Sequence, residues 1–129
     1  MTAPAVIDTA TDLDNTIDDL TGCTWLAGVS QILTGLRQAQ DAITRGDLSL
    51  DATQSLIAVL AGADGVDIVT AIGQLIAHAA GADTNPVLRT LTREQQKNTQ
   101  HQGELALFDL AHPSVHQAAA NAAAAISHY

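Results

Sequence analysis

The sequence predicts an all-α protein, a bundle of five or six helices with heptad-like seams that is part of an oligomer. Apolar residues recur three and four positions apart along several segments, and no segment alternates as a strand does. Hydrophobic residues make up 47% of the chain but aromatic residues only 2%, so the core must come from aliphatic side chains and alanine. Because small side chains bury little area each, we expect the helices to pack very closely or the chains to associate.

The first helix is predicted after a short tail. The 129 residues fit one domain, which we expect to be a flexible tail at 1–8 followed by a single helical domain at 9–129. Thr11 or Asp12 is a suitable N-cap. Leu13, Ile17 and Leu20 then share one face of a helix that Gly22 interrupts.

The clearest pattern is a heptad seam on the next helix. Its apolar residues alternate four and three positions apart and are Trp25, Val29, Ile32, Leu36, Ala39 and Ile43. Gly28 and Gly35 lie one heptad apart on another stripe. Since glycine costs about 1 kcal/mol in a helix interior, we interpret the two glycines either as points of close backbone approach or as merely tolerated.

Two further helices are predicted between residues 46 and 81. Gly46 and Asp47 end the seam helix, Ser49 caps the next one, and Gly62 stops it. The acidic segment 64–67 then begins a helix whose N-terminus favours negative charge. That helix carries Ile68, Ile72 and Leu75 and is predicted to close at residue 81.

Another helix is predicted to start at Asn85-Pro86 and to carry Leu88 and Leu91. The stretch 92–103 is then strongly polar. It is either an exposed helix or mobile loop, or part of a long helix whose polar layers fix the register of an oligomer.

The last helix follows Pro113 and repeats the four-and-three spacing. Its seam residues are Val115, Ala119, Ala122, Ile126 and Tyr129. An alanine-rich helix is marginal alone in water, so this helix should dock on something. Together, the seams at 25–43 and 115–129 are predicted to be the main packing faces and the interaction site.

The charge excludes some partners. The formal net charge is −9, with only five lysine and arginine residues, whereas nucleic-acid binding needs clustered basic residues. We expect neither nucleic acid nor a membrane as partner, but the chain itself or another protein. The expected location is the cytoplasm, or a phage particle if the alanine-rich, lysine-poor composition reflects a GC-rich genome.

Histidines offer a weak candidate for a metal site. Asp109, His112 and His116 would share a face of an unbroken helix, but Pro113 interrupts it, and zinc sites need three or four ligands. We therefore interpret His112 as a helix-start residue and His116 as a surface residue, and we expect no cofactor. No nucleophile or phosphate-loop motif occurs, so the chain is not expected to be an enzyme.

The expected function is that of a non-enzymatic assembly or protein–protein interaction module acting through its helical seams. Three alternatives remain open. The protein could be an acidic regulator or inhibitor that occupies a basic site on a partner, a structural component of a phage or mobile element, or a histidine-based metal protein or metal-dependent enzyme.

Overall fold

The computed structural model describes residues 9–63 and 65–126, and within these ranges it contains helices and no strand. The all-α prediction is therefore confirmed. Contacts group the chain into two compact units, Met1–Leu48 and Ser49–Tyr129, and each is described by itself. The predicted single domain at 9–129 stays a prediction, and the predicted tail at 1–8 lies outside the described residues.

The N-terminal unit is a pair of helices, α1 (Thr9–Leu20) and α2 (Val29–Thr44), joined through a 3-10 turn at Thr21–Cys23. The buried apolar side chains described in this unit are Ile17 of α1 and Leu33 of α2. The first helix is present as predicted, although it starts at Thr9 and not after Thr11 or Asp12.

The turn before α2 corrects the start of the predicted seam. Gly28 is the N-cap of α2 and has a φ of 82°, a left-handed conformation that ends any helix approaching from residue 25. Trp25 lies in the preceding turn and is 80% exposed. The helix predicted for the seam is therefore present from Val29 to Ile43, while its extension to Trp25 is wrong.

The C-terminal unit contains α3 (Leu50–Ile57), α4 (Ile68–Ala80), α5 (Arg93–Leu110) and α6 (Pro113–Ile126). A π-helical turn, Ala58–Gly62, continues α3. The Ser49 hydroxyl accepts a hydrogen bond from Ala52 N at 3.0 Å, so the predicted cap is confirmed. The predicted end of α4 at Gly81 and the predicted break at Pro113 are also confirmed.

The start of α5 differs from the prediction. Asn85-Pro86 begins a 3-10 segment, Pro86–Thr90, and Leu91 is extended. Thr92 then caps α5 and forms a capping box with Gln95, with bonds of 3.0 and 3.1 Å. This local signal overrides the Asn-Pro start, and the polar stretch predicted at 92–103 is helical from Arg93 onward.

Helices of this unit pack in two pairs, α4 on α5 and α3 with its π-helical turn on α6. Small residues allow the close approach. A Cβ on Gly103 would lie 2.5 Å from Ala80 Cβ, and one on Gly62 would lie 3.0 Å from Ala120 N. At Gly28 and Gly35, which the sequence suggested were either points of close approach or merely tolerated, no described neighbour would lie within 4 Å of an added Cβ.

None of the helices in the described ranges combines the length and the apolar character needed to cross a membrane.

Candidate functional site

The predicted seam residues from Val29 to Ile43 all lie on α2, where Val29 is the first helical residue and is half-buried. Ile32 and Ile43 are 50% and 54% exposed, Leu36 is also exposed, and Ala39 is half-buried. At 3.6 residues per turn, these four residues lie about 90° around the helix from Leu33, which packs inside the unit. The α2 stripe is defined as Ile32, Leu36, Ala39 and Ile43. The stripe is thus a line of aliphatic side chains beside the buried face, and most of it faces solvent.

Charge is confined to a different side of α2. The charged residues of this helix are Arg37 and Asp41. Arg37 Nη2 lies 3.2 Å from Asp18 Oδ1 and Arg37 Nη1 lies 3.6 Å from Asp14 Oδ1, both on α1. Asp41 lines the same groove as Arg37 and Ile17. The α2 stripe therefore carries no charge, in a chain whose net charge is −9.

The predicted seam of α6 lies beside the face that α6 buries. Ala119 and Ile126 are half-buried, whereas Val115 and Ala122 are exposed. Tyr129 lies outside the described residues. His116 and Ala123 are buried instead, and the backbone at Ala119 and Ala120 contacts Gly62. The sequence therefore located the apolar side of α6 but placed its centre about a quarter-turn from the buried face.

A second apolar stripe lies on α4. Ile68, Ile72 and Leu75 share one face by their spacing of four and three, and they are 44%, 43% and 58% exposed. The opposite side of α4 carries Gly73 and Ala77, which pack against α5. The C-terminal unit thus also exposes a row of aliphatic side chains.

A buried histidine–aspartate pair lies where α6 meets the π-helical turn. His116 Nδ1 is 2.8 Å from Asp67 Oδ2 and 2.6 Å from the Ala61 carbonyl oxygen. On the other side of the ring, Nε2 is 2.8 Å from the Leu110 carbonyl oxygen. His116 and Asp67 are only 6% and 7% exposed. The interpretation of His116 as a surface residue is therefore wrong.

Asp67 is held in place by the start of α4. It is the N-cap of that helix, and its Oδ1 accepts a hydrogen bond from Thr70 N at 2.9 Å. Its Oδ2 accepts from Ala63 N at 3.2 Å and also faces His116. Both carboxylate oxygens are thus occupied by donors, which fixes the orientation of the side chain toward α6.

The pKa values of the pair move apart. Burial alone would lower the pKa of His116, but its hydrogen bonds to the Ala61 and Leu110 carbonyls and to Asp67 raise that pKa above 6.5. Burial alone would raise the pKa of Asp67, but hydrogen bonds from Thr70, Ala63 and His116 lower that pKa below 3.8. Both directions favour the charged forms of the two side chains.

The three metal candidates do not form a ligand set. Asp109 is exposed on α5, and His112 Nδ1 lies 2.8 Å from Ser114 Oγ. Both ring nitrogens of His116 already face oxygen atoms. Across residues 9–63 and 65–126, no group of three or more His, Cys, Asp or Glu residues is placed to hold a metal ion.

Asp67 as the partner of His116 is the feature that the sequence analysis missed. The two residues are 49 positions apart, and no spacing rule links them. A usable signal was present, because His116 shares a helix face with Ala119, Ala120 and Ala123. A histidine on an otherwise alanine-lined face needs a buried polar partner.

Comparisons with protein-family models, with curated protein sequences and with solved structures find no match to this chain.

Proposed function

We propose that the protein is a non-enzymatic assembly module in which the α2 stripe binds the same stripe of a second copy of the chain. The observation that carries the proposal is the exposure of Ile32, Leu36 and Ile43 along one line of one helix. Large exposed apolar patches on soluble proteins mark interaction sites. The oligomeric helical bundle predicted from the sequence is part of this proposal.

The four-and-three spacing of the α2 stripe favours another helix as partner. Residues at this spacing interlock as knobs in holes when two helices cross at a shallow angle. Ala39 supplies a small side chain within the stripe. Gly35 lies next to it, and no described neighbour is within 4 Å of the point where a Cβ would stand. These two positions leave room for a second backbone to come close.

A second copy is the occupant that the charge pattern favours. Two acidic chains repel each other, but the stripe is free of charge and Arg37 is paired with Asp14 and Asp18 away from it. An isologous contact about a two-fold axis needs a self-complementary patch, and an uncharged aliphatic stripe meets that condition. A basic partner would instead select an acidic patch.

Substitutions on the stripe test the proposal. Ile32→Glu and Leu36→Glu place a carboxylate in the contact, and burying an unpaired charge is costly. In both variants we expect the mass measured by light scattering behind a sizing column to fall to that of one chain, 13.3 kDa. Circular dichroism should show the helix content unchanged, because both side chains are exposed within the unit.

Val87→Glu is the matched control. Val87 is 67% exposed on the 3-10 segment and lies off the stripe, so this variant introduces the same charge and should keep the mass of the unmodified chain. If Ile32→Glu and Leu36→Glu also keep that mass, the stripe is not the contact between copies. A mass that falls when salt rises would mean that charged groups, and not the aliphatic stripe, hold the copies together.

A further inference from the structure

His116 connects four segments of the C-terminal unit. Its ring lies on α6 and contacts the Ala61 carbonyl of the π-helical turn, the Asp67 carboxylate at the start of α4 and the Leu110 carbonyl at the end of α5. Two other side-chain hydrogen bonds at the start of α6 and within it, one between His112 and Ser114 and one from Gln117 to Asn121, are local. The His116 ring therefore links α6 to three other segments of the unit.

The geometry requires a proton on both ring nitrogens. All three neighbours of the ring nitrogens are oxygen acceptors, and a neutral imidazole has only one N–H. In the neutral form, one nitrogen would turn its lone pair toward an oxygen atom. That would leave a carbonyl or the carboxylate without its buried donor, which is costly. Only the imidazolium satisfies every group.

We propose that His116 is a pH-dependent latch, which holds α6 against the π-helical turn and the start of α4 while its ring is doubly protonated and releases α6 when a proton leaves. The ring has a route to solvent, because His116 lines an open depression of about 360 Å³ together with Gly62, Pro113, Gln117 and Ala120. The released face of α6 carries Ala119, Ala120 and Ala123.

Within the described ranges, few titratable groups surround His116. The charged group of α4 that faces the ring is the Asp67 carboxylate at its N-cap, and its charge raises the pKa of His116. The π-helical turn AVLAG has no ionisable side chain. On α5, the ionisable residue nearest in sequence to Leu110 is Asp109, which is exposed. The ionisable residue of α3 is Asp51, in the first turn of that helix. On the side of α6 itself, His112 is exposed and bonds to Ser114.

The direction of the pH response follows from these shifts. Because the folded pKa of His116 is raised, its contribution is complete below 6.5 and is lost as the pH rises through the folded pKa. Because the folded pKa of Asp67 is lowered, its contribution is present above 3.8 and is lost as the pH falls through the folded pKa. The latch thus opens on alkaline titration and, separately, in strong acid.

Nitrogen-15 NMR of the imidazole rings in the unmodified chain tests the proposal without any substitution. We expect His116 to be doubly protonated at pH 6.5 and to titrate above that value. Amide hydrogen exchange in α6, corrected for the intrinsic pH dependence, should accelerate through the same midpoint, by up to about tenfold per pH unit for a single linked proton. A midpoint at or below 6.5, or exchange that does not follow it, would overturn the latch.

Two variants separate the latch from a purely structural contact. Asp67→Asn keeps a capping oxygen but removes the charge, so the His116 midpoint should move to lower pH. His116→Gln should abolish the pH-dependent step in α6 exchange, whereas His112→Gln, on an exposed histidine near the start of the same helix, should retain it. If Asp67→Asn leaves the His116 midpoint unchanged, or His116→Gln retains the step, the proposal is wrong.

Discussion

Gly103 lies where α5 approaches α4 closely. A Cβ there would stand 2.5 Å from Ala80 Cβ and 3.4 Å from Ala77 Cα, and the first of these atoms is a short side chain that cannot swing aside. Gly103→Ala should therefore lower the free energy of unfolding by about 1–2 kcal/mol, because overpacking exceeds the gain of about 1 kcal/mol in helix propensity. Urea denaturation followed by circular dichroism measures the change.

Gly35→Ala is the control for that substitution. Gly35 also lies within a helix, but among the described residues no neighbour is within 4 Å of its Cβ position. Alanine should therefore stabilise the N-terminal unit by up to about 1 kcal/mol. The two substitutions are chemically identical and are expected to have opposite signs. Gains of similar size at both positions would mean that α4 and α5 are not in close contact at Gly103.

At the same scale, the sequence could not predict which glycines are crowded. Gly28 and Gly35 drew attention by their heptad spacing, yet the contacts involve Gly62, Gly73 and Gly103. Helical periodicity describes one helix at a time, and crowding depends on which two helices meet. The burial of His116 was not predicted for the same reason, since its acceptors lie on other segments of the chain.

At the scale of elements, caps account for where several helices begin. Ser49→Ala removes the hydroxyl that accepts from Ala52 N and should destabilise the C-terminal unit by about 1 kcal/mol. Ser55→Ala, on the same helix, has an exposed side chain and no cap to remove, so it should change stability by less than about 0.5 kcal/mol. Thermal unfolding followed by circular dichroism measures the difference. Equal melting temperatures for Ser49→Ala and Ser55→Ala would contradict the assignment of Ser49 as the cap.

Local signals predicted most helix boundaries. Ser49, Gly81 and Pro113 start or stop helices where the sequence indicated, because each acts through its own backbone or a neighbour's. Prediction failed at two places where one local rule competes with another. Gly28 in the left-handed region overrides the heptad at Trp25, and the Thr92 capping box overrides the Asn-Pro signal that precedes it.

At the scale of the molecule, apolar burial is sparse. Among the described residues, the buried hydrophobic side chains are Ile17, Leu33 and Ala123, in a chain that is 47% hydrophobic. Aliphatic side chains instead face solvent along α2 and α4. A shortage of core was expected from the 2% aromatic content, and it is the reason why association would stabilise the protein.

The sequence could indicate which faces are apolar but not which of them the chain buries itself. On α2, the four-and-three spacing identified the α2 stripe, while Leu33, the neighbour of Ile32, is the residue buried in the unit. Both faces are aliphatic, and the choice depends on the partner helix. For that reason the role of the stripe as an interaction site stays a prediction until association is measured.

The most direct test of the central claim is the solution mass of the unmodified chain by light scattering, over a range of protein concentrations and at low and high salt. Self-association through the α2 stripe predicts a defined multiple of 13.3 kDa that persists at high salt, since apolar contacts are not screened. A mass of 13.3 kDa at every concentration and salt condition would contradict the claim.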